Sequence, residues 1–217
     1  MTSTDTPPTE PRIADEAAAA RATIYGILAR LFEEPDEGLY EALADGSLAA
    51  ELDVLVERAG LDVAVPTVVT DDGYDLLCAR FNDVFAVGYP DPPVPLYESE
   101  HVTEGAWNDV NLDVARAYDY FGVAVDETER EHHDHLVLEL EFAGYLARLA
   151  AATNDAGARR ARRDFLDRHL AGFLENVADE VAGENETGVY EPVAEFAAGV
   201  AHADLAALEG DGEVADG

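Results

Sequence analysis

The chain has 217 residues, 48% of them hydrophobic, and sets 47 acidic residues against 13 basic ones for a formal charge of −34. That length and apolar content suit one sizeable core in a single domain. The charge excludes nucleic acid as a natural partner, because phosphate binding needs clusters of Lys and Arg. All 13 basic residues are Arg, and there is no Lys. Self-repulsion destabilises so acidic a chain in dilute salt; at molar salt the Debye length falls to about 3 Å and screens it. Disorder is the usual alternative, but Leu, Val, Phe and Tyr recur at helical spacing through most of the length. The expectation is a folded protein of a salt-rich cytosol.

Residues 1–11 are rich in Thr, Pro and Glu and read as a disordered tail. They have neither a basic segment nor an apolar one, so they do not read as an export signal. No apolar run approaches the roughly 18 residues of a membrane span. The expected location is the cytoplasm.

From about Ile13 to Glu33 an Ala-rich helix is predicted, with Ile24, Ile27, Leu28 and Leu31 on one side and Pro35 beyond its end. A short helix follows over Leu39–Ala44. Ser47 is the expected N-cap of the next, which runs to Ala59 and is closed by Gly60. Leu61–Thr70 carries four Val residues, but Pro66 interrupts it and no partner strand is evident, so it reads as a loop. Asp72 is the expected cap of a helix over Gly73–Phe85, with Leu76, Leu77, Phe81, Val84 and Phe85 inward.

Four prolines between Val87 and Ser99 rule out a helix there and make a rigid loop. Helix resumes near Thr103 and runs to Phe121, ended by Gly122, with Trp107, Val110, Val114 and Tyr118 on one face. An acidic, His-rich connector leads to Leu136–Ala152, which has two apolar stripes: Leu138, Phe142, Tyr145 and Leu149, and Leu136, Leu140, Ala143 and Leu146. So wide an apolar face marks the central helix of a bundle. Two further helices are predicted over Ala158–Val181 and Tyr190–Leu208. The Arg159, Arg160, Arg162, Arg163 run reads as a solvated face. The expected architecture is an all-α single globular bundle of about eight or more helices over 12–209, with a loose acidic tail at 210–217.

The sequence offers little for catalysis. Cys78 stands alone among Leu76, Leu77 and Phe81, which suits a core position. There is no Gly-rich phosphate loop, no G-x-S-x-G and no H-E-x-x-H. His132, His133, Asp134 and His135 are adjacent and of metal-ligating type, the basis of an alternative reading as a metal-binding or enzymatic helical protein. The bland reading is a polar connector in which Asp134 N-caps the following helix. Phe81, Phe85, Tyr89, Tyr97 and Trp107 gather near the Pro-rich loop. Composition leaves two readings of them open: ordinary packing, or the walls of a groove for an apolar peptide flanked by Arg.

Three features, read in order, resemble the TorD/DmsD/NarJ family of redox-enzyme maturation chaperones. The Pro-rich loop leads into Tyr97-Glu98-Ser99, similar to the family's aromatic-x-Ser motif. About 35 residues on, Asp134-His135-Leu136 followed by Leu138-Glu139-Leu140-Glu141-Phe142 resembles its Asp-His-Leu helix start. Phe165, His169-Leu170, Phe173 and Tyr190 resemble its C-terminal hairpin. The likeness spans roughly residues 20–208. It departs in two places: His133 stands where the family has Pro, and Tyr89 and Tyr97 stand where its loop often has Trp.

The resemblance implies a TorD/DmsD-like fold, no catalysis and no cofactor. It implies binding of the twin-arginine signal peptide, or another part, of a molybdopterin oxidoreductase catalytic subunit until its cofactor is inserted. The implied peptide-binding residues are Phe81, Phe85, Tyr89, Pro95, Tyr97, Glu98, Ser99, Asp134, His135, Leu138 and Glu139. Glu98, Glu100, Asp134 or Glu139 would pair with client Arg, and aromatic and Pro walls would bury the apolar part. The chain is expected as a monomer or a domain-swapped dimer. Tyr97 or Ser99 is expected within about 12 Å of Asp134 or His135, a span that three to four extended residues cover.

Overall fold

Asp15 opens the first helix, its carboxylate accepting the Ala18 N–H at 2.9 Å. The computed structural model describes residues 15–102, 107–125, 132–153 and 155–215. The N-terminal segment at 1–11, the predicted helix start at Thr103 and most of the acidic connector lie outside these residues. The regular structure comprises α1 (Glu16–Leu31), α2 (Glu37–Ala44), α3 (Ser47–Ala59), α4 (Tyr74–Phe81), α5 (Trp107–Phe121), α6 (Leu136–Thr153), α7 (Ala156–Phe165), α8 (Ala171–Gly183) and α9 (Tyr190–Ala215). No strand occurs among the described residues, and no helix there is long and apolar enough to cross a membrane.

Helix α6 is central, as its double stripe implies. Leu136, Leu140, Ala143 and Leu146 are wholly buried, facing Ile24, Tyr25 and Leu28 of α1, also wholly buried. The two helices approach closely because α6 carries Gly144 at the crossing: a Cβ there would lie 3.2 Å from the Tyr25 Cβ and 3.3 Å from the Ala22 carbonyl oxygen. Gly144→Val should therefore overpack the crossing and cost about 1–3 kcal/mol, measured as a lower urea midpoint with an unchanged slope. Helix α3 covers α1 from another side, α7 packs on α6, and α8 pairs with α9.

Local details differ from the sequence expectations for identifiable reasons. Gly46, in the left-handed region at φ 75°, occupies the N-cap of α3, and Asp45 accepts the Ser47 N–H at 2.8 Å. Gly73, not Asp72, precedes α4, because Asp72 is drawn off to Arg80 at 2.6 Å. Leu77, Phe81, Val84 and Phe85 are buried, whereas Leu76 is 46% exposed: it sits one residue off that i, i+4, i+7, i+8 stripe. Cys78 is half-buried, its thiol 3.8 Å from the Pro35 carbonyl.

Two helices run into π turns. After α4 the Val87 N–H bonds the Asn82 carbonyl at 2.8 Å. A second turn, Leu166–Leu170, joins α7 to α8 where one unbroken helix is predicted. Helix α9 continues to Ala215, past the expected end at Leu208.

The largest correction concerns Arg162. It is not on a solvated face but 1% exposed, and its guanidinium lies 3.3 Å from the wholly buried Asp204. The same carboxylate oxygen lies 3.4 Å from the Arg21 Nε, and the other accepts the Tyr25 hydroxyl at 2.9 Å. Arg21 also donates to the Ala59 carbonyl. Burial and the Asp204 charge push the Tyr25 hydroxyl pKa well above its ordinary value. One carboxylate thus joins α1, α7 and α9.

Candidate functional site

The two motifs that are 35 residues apart in sequence meet. Tyr97 and His135 form an isolated antiparallel bridge: the Glu98 N–H donates to the Asp134 carbonyl and the Leu136 N–H to the Leu96 carbonyl, each at 2.9 Å. The Tyr97 and His135 rings stand edge to face at 4.9 Å. The expected proximity of Tyr97 and Ser99 to Asp134 and His135 is met at bonding distance. The Pro-rich loop delivers Tyr97 to this seam. Val94, fully buried, donates its N–H to the Val84 carbonyl at 3.0 Å, and the His101 Nε2–H donates to the Pro95 carbonyl at 2.8 Å. Glu98–His101 then forms a short 3₁₀ turn.

The capping roles are exchanged relative to expectation. Asp134 does not cap α6; its Oδ2 accepts the Ser99 N–H at 3.0 Å. The His135 Nδ1 instead accepts the Val137 N–H at 3.2 Å, so the imidazole caps α6. One motif residue locks the seam and the next starts the helix.

The acids expected to face a client Arg point inward. Asp134 is 1% exposed, Glu98 7% and Glu139 0%; of the four named acids only Glu100 is at the surface. Glu98 pairs with His169 on the second π turn, Oε2 to Nδ1 at 3.0 Å. The other His169 nitrogen lies 3.5 Å from Asp113 on α5, and Asp113 also pairs with Arg168. Burial, with Glu98 and Asp134 beside it, raises the Glu139 pKa well above the usual carboxylate range.

Apolar side chains line open space near the start of α6, though not all are the predicted ones. Phe81 and Phe85 pack with Phe32 and Tyr190, ring centroids 5.4–5.9 Å apart, inside the core. Tyr89 stands at the opposite extreme, 99% exposed on the Pro-rich loop. The open space adjoining α6 is a cavity of about 350 Å³ whose apolar wall includes Tyr118, Val125, Leu138, Phe142 and Tyr145, with Glu33 and Glu141 also lining it. A second, of about 210 Å³, shares Phe142 and has Arg116 and Arg168 among its lining. Sequence reasoning placed Leu138 at the site but missed Tyr118 and Tyr145. In sequence both belong to helix faces, and the packing of α5 side chains against α6 leaves them lining open space.

The His132–His135 cluster does not converge. His132 lies by Tyr97, with rings 5.9 Å apart. The His133 N–H is held by Asn111 at 2.8 Å, and Tyr118 donates to the His133 carbonyl at 3.2 Å. Among the described residues no group of three or more His, Cys, Asp or Glu side chains is arranged to hold a metal ion. The His169-Leu170 motif is visible in sequence, but no sequence pattern pairs His169 with Glu98, 71 positions away.

The described residues thus form an all-helical domain in which a bridged Tyr-Glu-Ser turn and Asp-His helix start lie near a partly apolar cavity. The chain belongs to the nitrate reductase delta subunit family, whose model matches residues 33–179 and so spans both motifs; this is the TorD/DmsD/NarJ group of maturation chaperones. It is 32% identical over 160 residues to the selenate reductase assembly chaperone protein of Thauera selenatis, covering 71% of this chain and 73% of that one. It is 30% identical over 178 residues to the perchlorate reductase assembly chaperone protein of Dechloromonas aromatica, covering 76% and 80%. Likeness to the chaperone protein TorD of Vibrio cholerae is 28% over 126 residues, covering 56% and 57%. These relatives are named as chaperones and not as catalysts.

Proposed function

We propose that the chain is a system-specific assembly chaperone that holds the catalytic subunit of a molybdopterin oxidoreductase, DMSO/TMAO- or nitrate-reductase-like, while its cofactor is inserted. The client segment is the twin-arginine signal peptide, bound in a salt-rich cytoplasm before export. One observation carries the reading: the bridged Tyr97–His135 seam beside the cavity bounded by Tyr118, Leu138, Phe142 and Tyr145. Apolar client side chains enter that cavity. Glu33 and Glu141 line it too and favour an adjoining Arg.

The family's site carries over unevenly. Tyr97, Ser99 and Leu138, each half-buried at or beside the seam, are retained as client-facing candidates, while His135, 6% exposed, holds the seam and caps α6. Pro95, Asp134, Glu98 and Glu139 position the seam. Tyr89 acts only if the client reaches over the loop. Phe81 and Phe85 act through the core they support.

The test is affinity capture with the tagged protein at molar KCl, followed by identification of the bound subunit and its leader. Recovery of a reductase subunit with its twin-Arg leader intact is the expected result. Recovery of only the mature, cofactor-loaded subunit, or of no reductase subunit, would overturn the proposal.

A further inference from the structure

Glu139 is the most confined acid described at the site: it is 0% exposed, and neither of its oxygens meets a hydrogen-bond donor in the described structure. An ionised carboxylate so placed would be severely penalised, since burial disfavours charge that is neither paired nor hydrogen-bonded. The facing groups make ionisation worse. Glu98, from the 3₁₀ turn, is also buried and repels charge on Glu139. Its N–H is tied to the Asp134 carbonyl while the Glu139 N–H is tied to the next carbonyl, that of His135, although the two carboxyls form no hydrogen bond. Asp134, just before α6, is the second acidic neighbour, and its Oδ1 is also unpartnered.

The remaining titratable groups around this cluster come from three elements. His169 on the π turn contacts Glu98 at 3.0 Å and reaches toward Asp113 of α5, which also pairs with Arg168. Tyr118 of α5 feels Glu139, Asp134, Glu141 and Glu98, and burial together with those carboxylates raises its pKa well above the ordinary value. Among the described residues the His169 imidazole is the basic side chain in contact with Glu98, and neither Glu139 oxygen has a partner.

We propose that Glu98 and Glu139 share one proton across the seam between the Tyr97–Ser99 turn and α6, and that this proton keeps the seam shut. Glu139 holds the proton and Glu98 accepts from it, while Glu98 also takes the His169 hydrogen bond. Loss of the proton to solvent hydroxide leaves Glu98, Asp134 and Glu139 all negative around one buried point. Separating the turn from α6, which breaks the Glu98 and Leu136 backbone hydrogen bonds, is the relief available. That the seam governs client access rests on the proposed function; the shared proton does not, and the test uses the free protein.

The sign follows from linkage. The folded chain keeps a proton that the unfolded chain releases in the ordinary carboxylate range. The contribution is complete below that range and is lost as pH rises toward the raised folded value, at about tenfold in the folding equilibrium per pH unit.

The experiment is infrared spectroscopy of the full chain in molar KCl, together with amide exchange at Glu98 and Leu136 referenced to amides within α6. At pH 7 a protonated-carboxyl C=O band is expected that disappears in Glu139→Gln. Protection at Glu98 and Leu136 should fall selectively as pH is raised in the wild type and persist in Glu139→Gln. Absence of the band in the wild type, its survival in the variant, or equal pH dependence of the two proteins would overturn the proposal. Should Glu139→Gln fail to fold, the wild type still decides, because loss of the band and loss of seam protection must then share one pH midpoint; separate midpoints refute it.

Discussion

Asp204→Leu is expected to cost about 3–5 kcal/mol, the scale for removing one partner of a buried ion pair. The substitution leaves Arg162, 1% exposed, without its carboxylate and deprives the Tyr25 hydroxyl of its acceptor. At about 2–4 °C per kcal/mol for a chain of this size, the thermal midpoint should fall by roughly 6–20 °C. Arg162→Leu/Asp204→Leu should recover most of that loss, because Arg21 keeps the Ala59 carbonyl and the second buried charge is gone. A single variant within about 1 kcal/mol of wild type, or a double variant no better than the single, would show that the node does not carry this energy. Unfolding in urea at molar KCl reads both.

Leu138→Ser should weaken client binding about tenfold at molar KCl, while Glu141→Gln changes it by less than about threefold. Leu138 is half-buried on the cavity wall, and full burial of a Leu side chain is worth about 1.5–3 kcal/mol. Completing that burial on binding accounts for about one decade of affinity. Glu141 is exposed, and molar salt screens its attraction for a client Arg. In low salt its effect should grow while that of Leu138 does not. Calorimetric titration with a synthetic leader peptide measures both. A larger loss from Glu141→Gln at molar salt would reverse the assignment of apolar contact as the main source of affinity.

The helices were legible because their signals are local. The two stripes of α6, the Gly60 stop and the four prolines each act within a few residues. The meeting of Tyr-Glu-Ser with Asp-His was legible only through family resemblance, since nothing in either segment codes for the other. What remained hidden depends on tertiary packing. Arg162 sits in a run of four arginines and is indistinguishable in sequence from Arg160; its burial is decided by Asp204, 42 positions away. Asp134 has the composition of an N-cap, yet the backbone of Ser99 competes for its carboxylate and His135 takes the capping role. The inward stripe of Leu77, Phe81, Val84 and Phe85 runs on through the π turn after α4, and Leu76 is left outside because it sits one residue off that stripe.

The Tyr25–Asp204 bond joins residues 179 positions apart. A contact of that separation closes nearly the whole chain as one loop, and loop closure must precede its reward. During synthesis α1 exists long before the carboxylate that completes its buried face. A nascent chain can assemble α1 through α6 early, but Arg21, Tyr25 and Arg162 wait for residue 204. The node joining the domain's beginning to its end can form only once residue 204 has been made. A premature stop anywhere in α9 ahead of Asp204 should yield not a shortened chaperone but a chain with an unpaired buried guanidinium and no finished core.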